Sequence, residues 1–313
     1  MPKGVVVITG PTATGKTKLG IELAKSFGGE VISADSMQLY KYMDIGTATP
    51  DAQEMEGVHH HMLSVIEPWE AYSVSRYVEE AAACVDDVLS RGKLPIIVGG
   101  TGLYIDSLLS GRGFMGGSAE LREKFSQQYD EIGGEEMMRL LAEVDKDSAE
   151  RLHANDKKRI VRALEVYHAT GKSITQHNIE TQSLPPRYEY CKLALTFEDR
   201  ALLYERIDRR VDIMMDMGLV AEVEKLLAMG VDEKSTAMQA IGYKEIVLAL
   251  RGECSMAEAV ETVKRESRRY AKRQLSWLSG KQDVNWIRWK NQPDMDWARQ
   301  LSTNFMENNG IIT

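Results

Sequence analysis

A short loop near the beginning of the chain carries the clearest chemical pattern in the sequence. The loop matches G-x-x-x-x-G-K-[ST] and consists of Gly10, Pro11, Thr12, Ala13, Thr14, Gly15, Lys16 and Thr17. In this pattern, backbone N–H groups and a helix N-terminus face a phosphate, the lysine adds positive charge, and the last hydroxyl can bind Mg²⁺. We predict that the loop binds a diphosphate or polyphosphate, with Lys16 as its cation and Thr17 as the magnesium ligand. The pattern does not specify a nucleotide.

A carboxylate is expected to lie beside this loop. The residues Glu30 to Ala34 read as a strand, and Asp35 follows directly. Ligands of an open α/β sheet bind at the carboxyl ends of its strands, which is where both the loop and Asp35 belong. Such a carboxylate could accept a proton or position a metal ion. A turn or cap aspartate without chemistry is an equally good interpretation of its position alone.

A third strand end lacks an expected acid. The apolar run Leu94 to Val98 ends in Gly99 and Gly100, whereas a P-loop kinase or hydrolase usually has an acidic residue at a neighbouring strand end to hold Mg²⁺. This absence disfavours nucleotide hydrolysis. Asp35 could replace the missing acid, so the kinase alternative stays open.

The elements that must position these residues alternate between strands and helices. The β-branched run Gly4 to Thr9 predicts a buried strand before the loop, and Lys16 to Phe27 has the apolar spacing of a helix. Such alternation predicts a parallel sheet. A glycine-rich joint from Gly111 to Gly117 then precedes residues with only helical periodicity, from Ala119 to Thr170.

A second apolar run, Tyr190 to Phe197, predicts a strand that returns to the sheet, and the last third of the chain reads as mostly helical. The predicted fold class is therefore α/β, with a P-loop NTPase-like parallel sheet core. We expect residues 1–110 and 190–313 to form the catalytic core and residues 111–189 to form a helical insertion domain.

Composition narrows the class of protein further. The chain has 313 residues and a net charge of −8, which excludes a globally basic nucleic-acid coat protein but allows a local basic face. Its three cysteines form neither a disulfide framework nor a metal cluster, which favours free thiols in a reducing compartment. No signal-peptide pattern and no apolar run of about 18 residues is present, so we expect a cytoplasmic protein.

Two basic patches stand out in this acidic chain. On the helix predicted from Met256 to Leu278, residues 264–273 include six basic residues and one acid, a local charge of +5. One face of that helix carries Arg265, Arg268, Arg269 and Lys272. The opposite stripe, Val263, Ser267, Tyr270, Gln274 and Trp277, is expected to pack on the core. A second patch is Lys158, Arg159 and Arg162. A solvated face and a polyanion partner such as RNA are both consistent with these charges.

Three consecutive histidines, His59 to His61, suggest a metal site only at first sight. Consecutive side chains cannot all point at one ion, and no second group of ligands has metal-site spacing. Turn or interface histidines are the preferred interpretation.

Taken in order, several segments resemble those of bacterial tRNA dimethylallyltransferases, the IPP transferase family, along nearly the whole chain. The matching segments are GPTATGKT (Gly10 to Thr17), DSMQLYKYMDIGTATP (Asp35 to Pro50), VGGTGLY (Val98 to Tyr104), RALEVYHATGKS (Arg162 to Ser173), AMQAIGYKE (Ala237 to Glu245) and YAKRQLSW (Tyr270 to Trp277). A P-loop alone indicates a superfamily, whereas these segments in this order indicate the family.

The resemblance implies an activity and roles for individual residues. Such enzymes transfer the dimethylallyl group of dimethylallyl diphosphate to N6 of adenine at tRNA position 37, with Mg²⁺, and their P-loop grips the diphosphate. Asp35 matches the proposed general base, and Arg210 matches an arginine thought to hold the diphosphate. The residues that match tRNA-contacting segments are Asp35, Ser36, Met37, Gln38, Thr101, Lys158, Arg159, Arg162, Gln239, Gly242, Tyr243, Lys244, Arg268, Lys272 and Arg273. The implied partner is the anticodon stem-loop of tRNA, and we expect a monomer with no membrane association.

Three alternatives share parts of the pattern. A small-molecule kinase would use the loop and Asp35 but has no use for the basic stripe. An enzyme that prenylates free adenine nucleotides would need neither the stripe nor the helical insertion. An RNA-binding ATPase switch would need ATP affinity and a hydrolytic metal site. Whether ATP binds the loop at all stays open from the sequence.

Overall fold

A computed structural model describes residues 2–111, 115–182 and 184–312, with the side chain of Gln182 left aside. Part of the predicted glycine-rich joint, Arg112 and Gly113, lies outside the described residues. The chain divides into two compact units. One comprises Met1–Leu109 together with Arg187–Thr313, and the other comprises Ser110–Pro186.

A six-stranded sheet forms the centre of the first unit, and all of its paired strands run parallel. Its strands are β1 (Val5–Thr9), β2 (Gly29–Ser33), β3 (His60–His61), β4 (Leu94–Val98), β5 (Tyr190–Phe197) and β6 (Asn285–Trp289). Their order across the sheet is β3-β2-β4-β1-β5-β6. The parallel α/β core predicted from the sequence is confirmed.

Thirteen helices occur within the described residues. They are α1 (Lys16–Phe27), α2 (Val74–Ser90), α3 (Gly102–Ser110), α4 (Ala119–Ile132), α5 (Gly134–Val144), α6 (Lys146–Arg151), α7 (Lys157–Thr170), α8 (Ile174–Gln182), α9 (Arg200–Asp216), α10 (Leu219–Ala228), α11 (Tyr243–Leu250), α12 (Met256–Ser279) and α13 (Met295–Asn308). Across these described segments, no helix combines the length and apolarity required to cross a membrane.

The sheet is covered on both faces, which explains why its central strands β1 and β4 read as largely apolar runs. Along β1, Val5 and Val7 belong to one buried cluster, whereas Val6 and Ile8 belong to another. Successive side chains of a strand point to opposite faces, so this alternation assigns one cluster to each face. The central strands are therefore fixed by burial on both sides.

The strand order brings three strand ends to one edge of the sheet. β4 lies between β1 and β2, because it pairs with both of them in parallel. The P-loop after β1, the glycines after β4 and Asp35 after β2 consequently share the carboxyl edge. This crossover places residues from three distant segments within reach of one ligand.

The second unit, residues 110–186, is helical in its described part and has its own core. Its buried cluster includes Phe125, Met137, Leu141 and Leu164. Glu165 is fully buried there and pairs with Arg122 over 3.0 Å and with Arg162 over 2.8 Å. Since a buried carboxylate is costly without partners, these two arginines stabilise the unit.

Some elements were not predicted from the sequence. β3 is two residues long, and β6 is an edge strand in which only Ile287 and Trp289 are buried, so neither has a clear apolar run. Capping patterns could have indicated two of the missed helices. Ser173 and Gln176 bond each other's backbone N–H groups before α8, and Asp294 accepts from the N–H of Trp297 at the start of α13.

Candidate active site

A cavity of about 500 Å³ opens at the carboxyl edge of the sheet in the first unit. Many of the residues singled out in the sequence line it. They are Thr12, Lys16, Thr17, Asp35, Ser36, Met37, Gln38, Arg210, Gln239, Gly242, Lys244 and Arg273. Its size is within the range of small-molecule sites, and it combines apolar walls with a few converging charged groups. We call it the active-site cavity.

Lys16 is recessed in this cavity and folds back onto its own loop. Its ammonium group donates a hydrogen bond to the carbonyl oxygen of Pro11 over 2.7 Å. Burial, and to a smaller extent the nearby charge of Arg210, lowers the pKa of Lys16 to about 7, although Asp35 opposes the shift. The position of Lys16 therefore favours a bound anion, which would restore its full positive charge.

The start of α1 adds further capacity for an anion. Gly15 precedes the helix in a left-handed conformation, with φ of 89°, and no side chain caps the first turn. The first turn also lacks an acidic residue. The N–H groups of a helix N-terminus that has no cap favour phosphate.

Arg210 projects from α9 into the same cavity. Burial lowers its pKa, while the charges of Asp35 and Glu54 raise it. Within the described residues, its guanidinium group makes no ion pair inside 4.0 Å. Two recessed cations without a paired carboxylate thus face one cavity, which is the arrangement expected for a diphosphate site.

Asp35 lies in the cavity wall with one oxygen engaged. Its Oδ1 accepts a hydrogen bond from the backbone N–H of Met37 over 2.9 Å. The next residue is also held, because the N–H of Ser36 donates to Oγ1 of Thr101 over 3.0 Å. Thr101 therefore fixes the turn that carries Asp35, and the carboxylate is oriented rather than free to rotate.

The two glycines after β4, Gly99 and Gly100, lie where a side chain would clash with neighbouring atoms. A Cβ on Gly99 would lie 2.2 Å from the carbonyl oxygen of Ala34, and a Cβ on Gly100 would lie 2.2 Å from Nε2 of Gln274. β4 lies between β1, which precedes the P-loop, and β2, which precedes Asp35. The end of β4 therefore has no room for an acidic side chain.

The stripe of α12 that was expected to pack on the core also faces the cavity. Val263, Ser267, Tyr270 and Gln274 all line it. Gln274 donates from Nε2 to the carbonyl oxygen of Gly100 over 3.0 Å. Val263 and Gln274 are buried as well, and Trp277 packs against a core cluster, so the stripe both packs and forms part of the cavity wall. Periodicity separates the faces of a helix but does not show that the inner face also borders a cavity.

The opposite face of α12 is basic but largely paired. Arg268 is only partly exposed and forms an ion pair with Asp208 of α9 over 2.5 Å, contrary to the exposed face expected. Arg269 pairs with Glu266 over 2.7 Å. Lys272 and Arg273 are exposed, and neither forms an ion pair within the described residues. Glu266 lies on α12 itself, whereas periodicity could not reveal Asp208, because it comes from another helix.

The basic residues of the second unit also differ among themselves. Lys158 and Arg159 are exposed on α7. Arg162 holds the buried Glu165 and donates to the carbonyl oxygen of Met115 over 3.0 Å. Arg162 therefore has a structural role in the unit. Lys158 and Arg159 remain accessible to solvent or a ligand, although Arg159 forms an ion pair with Asp156 over 3.5 Å.

Tyr243 has a position that the sequence did not indicate. It was expected among the tRNA-contacting residues, yet its side chain is fully buried. Its hydroxyl donates to Glu222 over 2.6 Å. The helix α11 begins at Tyr243, directly after Gly242, whose φ of 101° does not fit a helical backbone.

The histidine segment forms a cluster around a carboxylate. His61 bonds Glu30 over 2.8 Å, and His59 lies close enough for the three groups to approach a common point. Arg91 and Lys93 also bond Glu30, and with His61 they hold the pKa of that carboxyl well below its usual range. Two fixed cations neutralise the only acid of the cluster, so it is a poor site for a metal ion.

Two supporting residues were missed by the sequence reasoning. Trp289 of β6 is buried and donates from Nε1 to the carbonyl oxygen of Thr14 over 2.9 Å, so the last strand supports the P-loop. Glu222 of α10 binds the segment after residue 43. Neither role has a local sequence signal, because each partner lies more than 170 residues away in the chain.

A second cavity, of about 830 Å³, lies beside the first and shares Lys16, Thr17, Ala48, Arg210 and Met214 with it. Its wall also includes Arg206, Arg209 and Glu54. Lys16, Thr17 and Arg210 thus border two adjoining cavities.

Comparison with known proteins agrees with this geometry. A family model described as IPP transferase matches residues 38–281, and one described as isopentenyl transferase matches residues 3–66. The tRNA dimethylallyltransferase of Acetivibrio thermocellus is 51% identical over 93% of each chain. That of Caldanaerobacter subterraneus is 47% identical over 97% of this chain and 96% of the relative.

Solved structures agree as well. The tRNA isopentenylpyrophosphate transferase of Bacillus halodurans superposes with a TM-score of 0.73 at 36% identity and covers 98% of each chain. A eukaryotic dimethylallyltransferase acting on tRNA has a TM-score of 0.85 at 30% identity, covering 99% of this chain and 81% of the other. The resemblance inferred from the motifs is confirmed, and the chain belongs to the tRNA dimethylallyltransferases, prenyltransferases that modify tRNA.

Proposed function

We propose that this protein transfers the dimethylallyl group of dimethylallyl diphosphate to N6 of adenine at position 37 of tRNA, next to the anticodon. The observation that carries the proposal is one cavity in which two recessed cations without paired acids, Lys16 and Arg210, share space with the oriented carboxylate of Asp35. The cations suit a diphosphate leaving group, and the carboxylate suits a proton leaving the attacking amine.

The leaving group requires the most help. As the bond between the allylic carbon and oxygen breaks, negative charge grows on the diphosphate. Lys16, Arg210 and the uncapped N–H groups at the start of α1 stabilise that charge, and they are in place before the reaction. Burial lowers the pKa of Lys16, so part of the free protein carries this residue in its neutral form. A bound diphosphate favours the protonated form of Lys16.

The nucleophile needs a base. The lone pair of adenine N6 is delocalised into the ring, so the amine attacks well only as its proton is removed. Asp35 is the proposed acceptor, with its Oδ1 held by the N–H of Met37. The target base must leave its stack to reach a cavity at the strand ends, at a cost of a few kcal/mol.

Magnesium is the proposed cofactor. The Thr17 side chain lines the cavity beside Lys16 and is the candidate protein ligand. Mg²⁺ usually keeps several waters and binds one or two protein groups plus phosphate oxygens. A site with few protein ligands is therefore compatible with the glycines, instead of an acidic residue, that follow β4. When bound there, the ion would neutralise part of the diphosphate charge.

The tRNA surface is proposed to use residues of both units. In the first unit, Gln239, Lys244 and Arg273 line the cavity, and Lys272 is exposed near them on α12. In the second unit, the exposed Lys158 and Arg159 of α7 are proposed to contact phosphates. We propose that a single chain carries the complete site and acts as a monomer.

The test is transfer of label from dimethylallyl diphosphate into tRNA, with ATP and AMP as competitors. Label in tRNA that neither nucleotide suppresses supports the proposal. Tight ATP binding with turnover, and no affinity for dimethylallyl diphosphate, would support a kinase or an ATPase switch instead. Label in free AMP but not in tRNA would support the nucleotide-prenylating alternative.

A further inference from the structure

A single carboxylate of α10 holds a distant loop. Glu222 accepts hydrogen bonds from three consecutive backbone N–H groups, those of Asp44, Ile45 and Gly46, over 2.9, 2.9 and 3.1 Å. It also accepts the hydroxyl proton of Tyr243 over 2.6 Å. Consecutive N–H groups that converge on an anion form a nest, and here the protein supplies its own anion.

The loop that Glu222 holds divides the two cavities. Gly46, Thr47 and Ala48 line the active-site cavity, whereas Asp44, Ile45 and Ala48 line the second cavity. We call residues 44–48 the partition loop. Lys16, Thr17 and Arg210 also line both cavities, so this loop and the proposed diphosphate site border the same two spaces.

The loop is also held from the other side. Gln38 donates from Nε2 to the carbonyl oxygens of Thr47 and Ala48 over 3.3 and 3.1 Å. Ala48 has φ of 50°, a left-handed conformation that a residue with a side chain rarely adopts without external restraint. The side chains of Glu222 and Gln38 therefore fix a backbone conformation that the loop sequence alone disfavours.

The contact between Glu222 and the loop is tight and has a cost. A Cβ on Gly46 would lie 2.5 Å from the ring of Tyr243, so only glycine lets this ring pack there. Burial and the charge of Glu222 raise the pKa of Asp44. Placing the carboxylate of Glu222 beside that of Asp44 is therefore electrostatically unfavourable. A contact that is kept despite this cost points to a role of Glu222 in positioning the loop.

We propose that Glu222 is a positioning residue for the transfer reaction, because it fixes the partition loop at the width at which the donor and the acceptor base meet. This inference rests on the proposed function. Loss of the contact leaves Lys16, Arg210 and Asp35 intact but lets the partition loop, which lines the same cavity, move. A misplacement of about 1 Å in such a site can lower the rate by about 10²-fold.

The test uses Glu222→Ala, Glu222→Gln and Tyr243→Phe, with Glu224→Ala as the matched control on the same helix, where the side chain is exposed. The alanine variant removes all four bonds, the glutamine variant keeps one acceptor oxygen, and the phenylalanine variant removes one bond but keeps the ring on Gly46. We expect kcat to fall by about 10²-fold for Glu222→Ala, by less for Glu222→Gln and least for Tyr243→Phe. The KM for dimethylallyl diphosphate should rise in the same order.

Affinity for tRNA and the melting temperature are measured for every variant. Graded loss of kcat with tRNA affinity as in the parent supports the inference, and so does near-parental activity of Glu224→Ala. Parental kinetics in Glu222→Ala, or activity and tRNA affinity lost in equal measure, would overturn it. If the alanine variant does not fold, Glu222→Gln and Tyr243→Phe decide by the same criteria. A parent that transfers no label would instead refute the proposed function.

Discussion

Two groups of basic residues in this chain lie in opposite environments. Lys16 and Arg210 are recessed in a cavity and, within the described residues, have no carboxylate at ion-pair distance. On the outer face of α12, by contrast, Arg268 pairs with Asp208 and Arg269 pairs with Glu266. The first group is small and unpaired, whereas the second is larger and mostly neutralised.

The difference shows where a ligand is needed. A buried cation without a partner is costly, so it persists only where something else supplies the anion. An exposed ion pair contributes only about 0–1 kcal/mol and requires no ligand. In an acidic chain, the environment of each cation is therefore a better guide to phosphate binding than the local count of charges.

The strongest test of this difference removes one recessed cation. Lys16→Ala should lower single-turnover transfer by about 10³–10⁵-fold, because cations on a phosphate leaving group contribute on that scale. Lys25→Ala, on the same helix, is the control, since Lys25 is exposed and pairs with Glu56. Binding of tRNA should be retained in both variants. A Lys16→Ala enzyme with near-parental transfer would place the diphosphate elsewhere.

Asp35 shares the cavity with these cations and is expected to act on the attacking amine rather than on the leaving group. Asp35→Asn keeps the shape and the bond to Met37 but removes basicity, so single-turnover transfer should fall by about 10²–10⁴-fold. Rapid-quench kinetics with saturating tRNA and donor measure this directly. A near-normal rate would mean that Asp35 only positions the substrate.

The environment of Lys16 also predicts a pH dependence of donor affinity. The pKa of Lys16 in the free protein is lowered to about 7, and a bound diphosphate should raise it. Below pH 7 the group is already charged, so affinity is highest there with respect to this residue. Above pH 7 binding must take up a proton, and affinity should fall by up to about tenfold per pH unit.

Calorimetry of dimethylallyl diphosphate binding between pH 7 and 9, in buffers of different ionisation enthalpy, measures both the affinity and the proton uptake. Affinity that stays constant over this range, with no proton taken up, would show that Lys16 remains charged in the free protein.

The smallest expected effect is a change in the salt dependence of tRNA binding, which should differ between the paired Arg268 of α12 and Lys272 of the same helix, which is unpaired within the described residues. Lys272→Gln should reduce the slope of log tRNA affinity against log salt by roughly 0.7–0.9, because an exposed cation without an ion pair is available to one phosphate. Arg268→Gln should change the slope less and lower the melting temperature more, since it leaves Asp208 without its partner. Titrations at several salt concentrations measure the two slopes.

Equal slopes in Lys272→Gln and the parent would mean that this face of α12 is only solvated. The exposed Lys158 and Arg159 of the second unit would then be the remaining candidates for phosphate contact.

Much of the site could be predicted because its signals are local. The P-loop is eight consecutive residues between a strand and a helix, and both flanking elements were predicted within one residue of their observed bounds. Asp35 followed from the end of one strand. Arg210 was different, because nothing in its own segment marks it, and only the resemblance to a family indicated it.

The sequence by itself determined the fold class and the phosphate loop, because burial on two faces and a glycine-bounded turn leave patterns in neighbouring residues. Only the tertiary structure decided which cations are neutralised, which glycines are forced and which loop Glu222 holds. Each of these depends on atoms that belong to segments far apart in the chain, as with Arg268 and Asp208 or Gly99 and Ala34. Periodicity describes one element at a time, whereas charge neutralisation and close packing are properties of pairs of elements in contact.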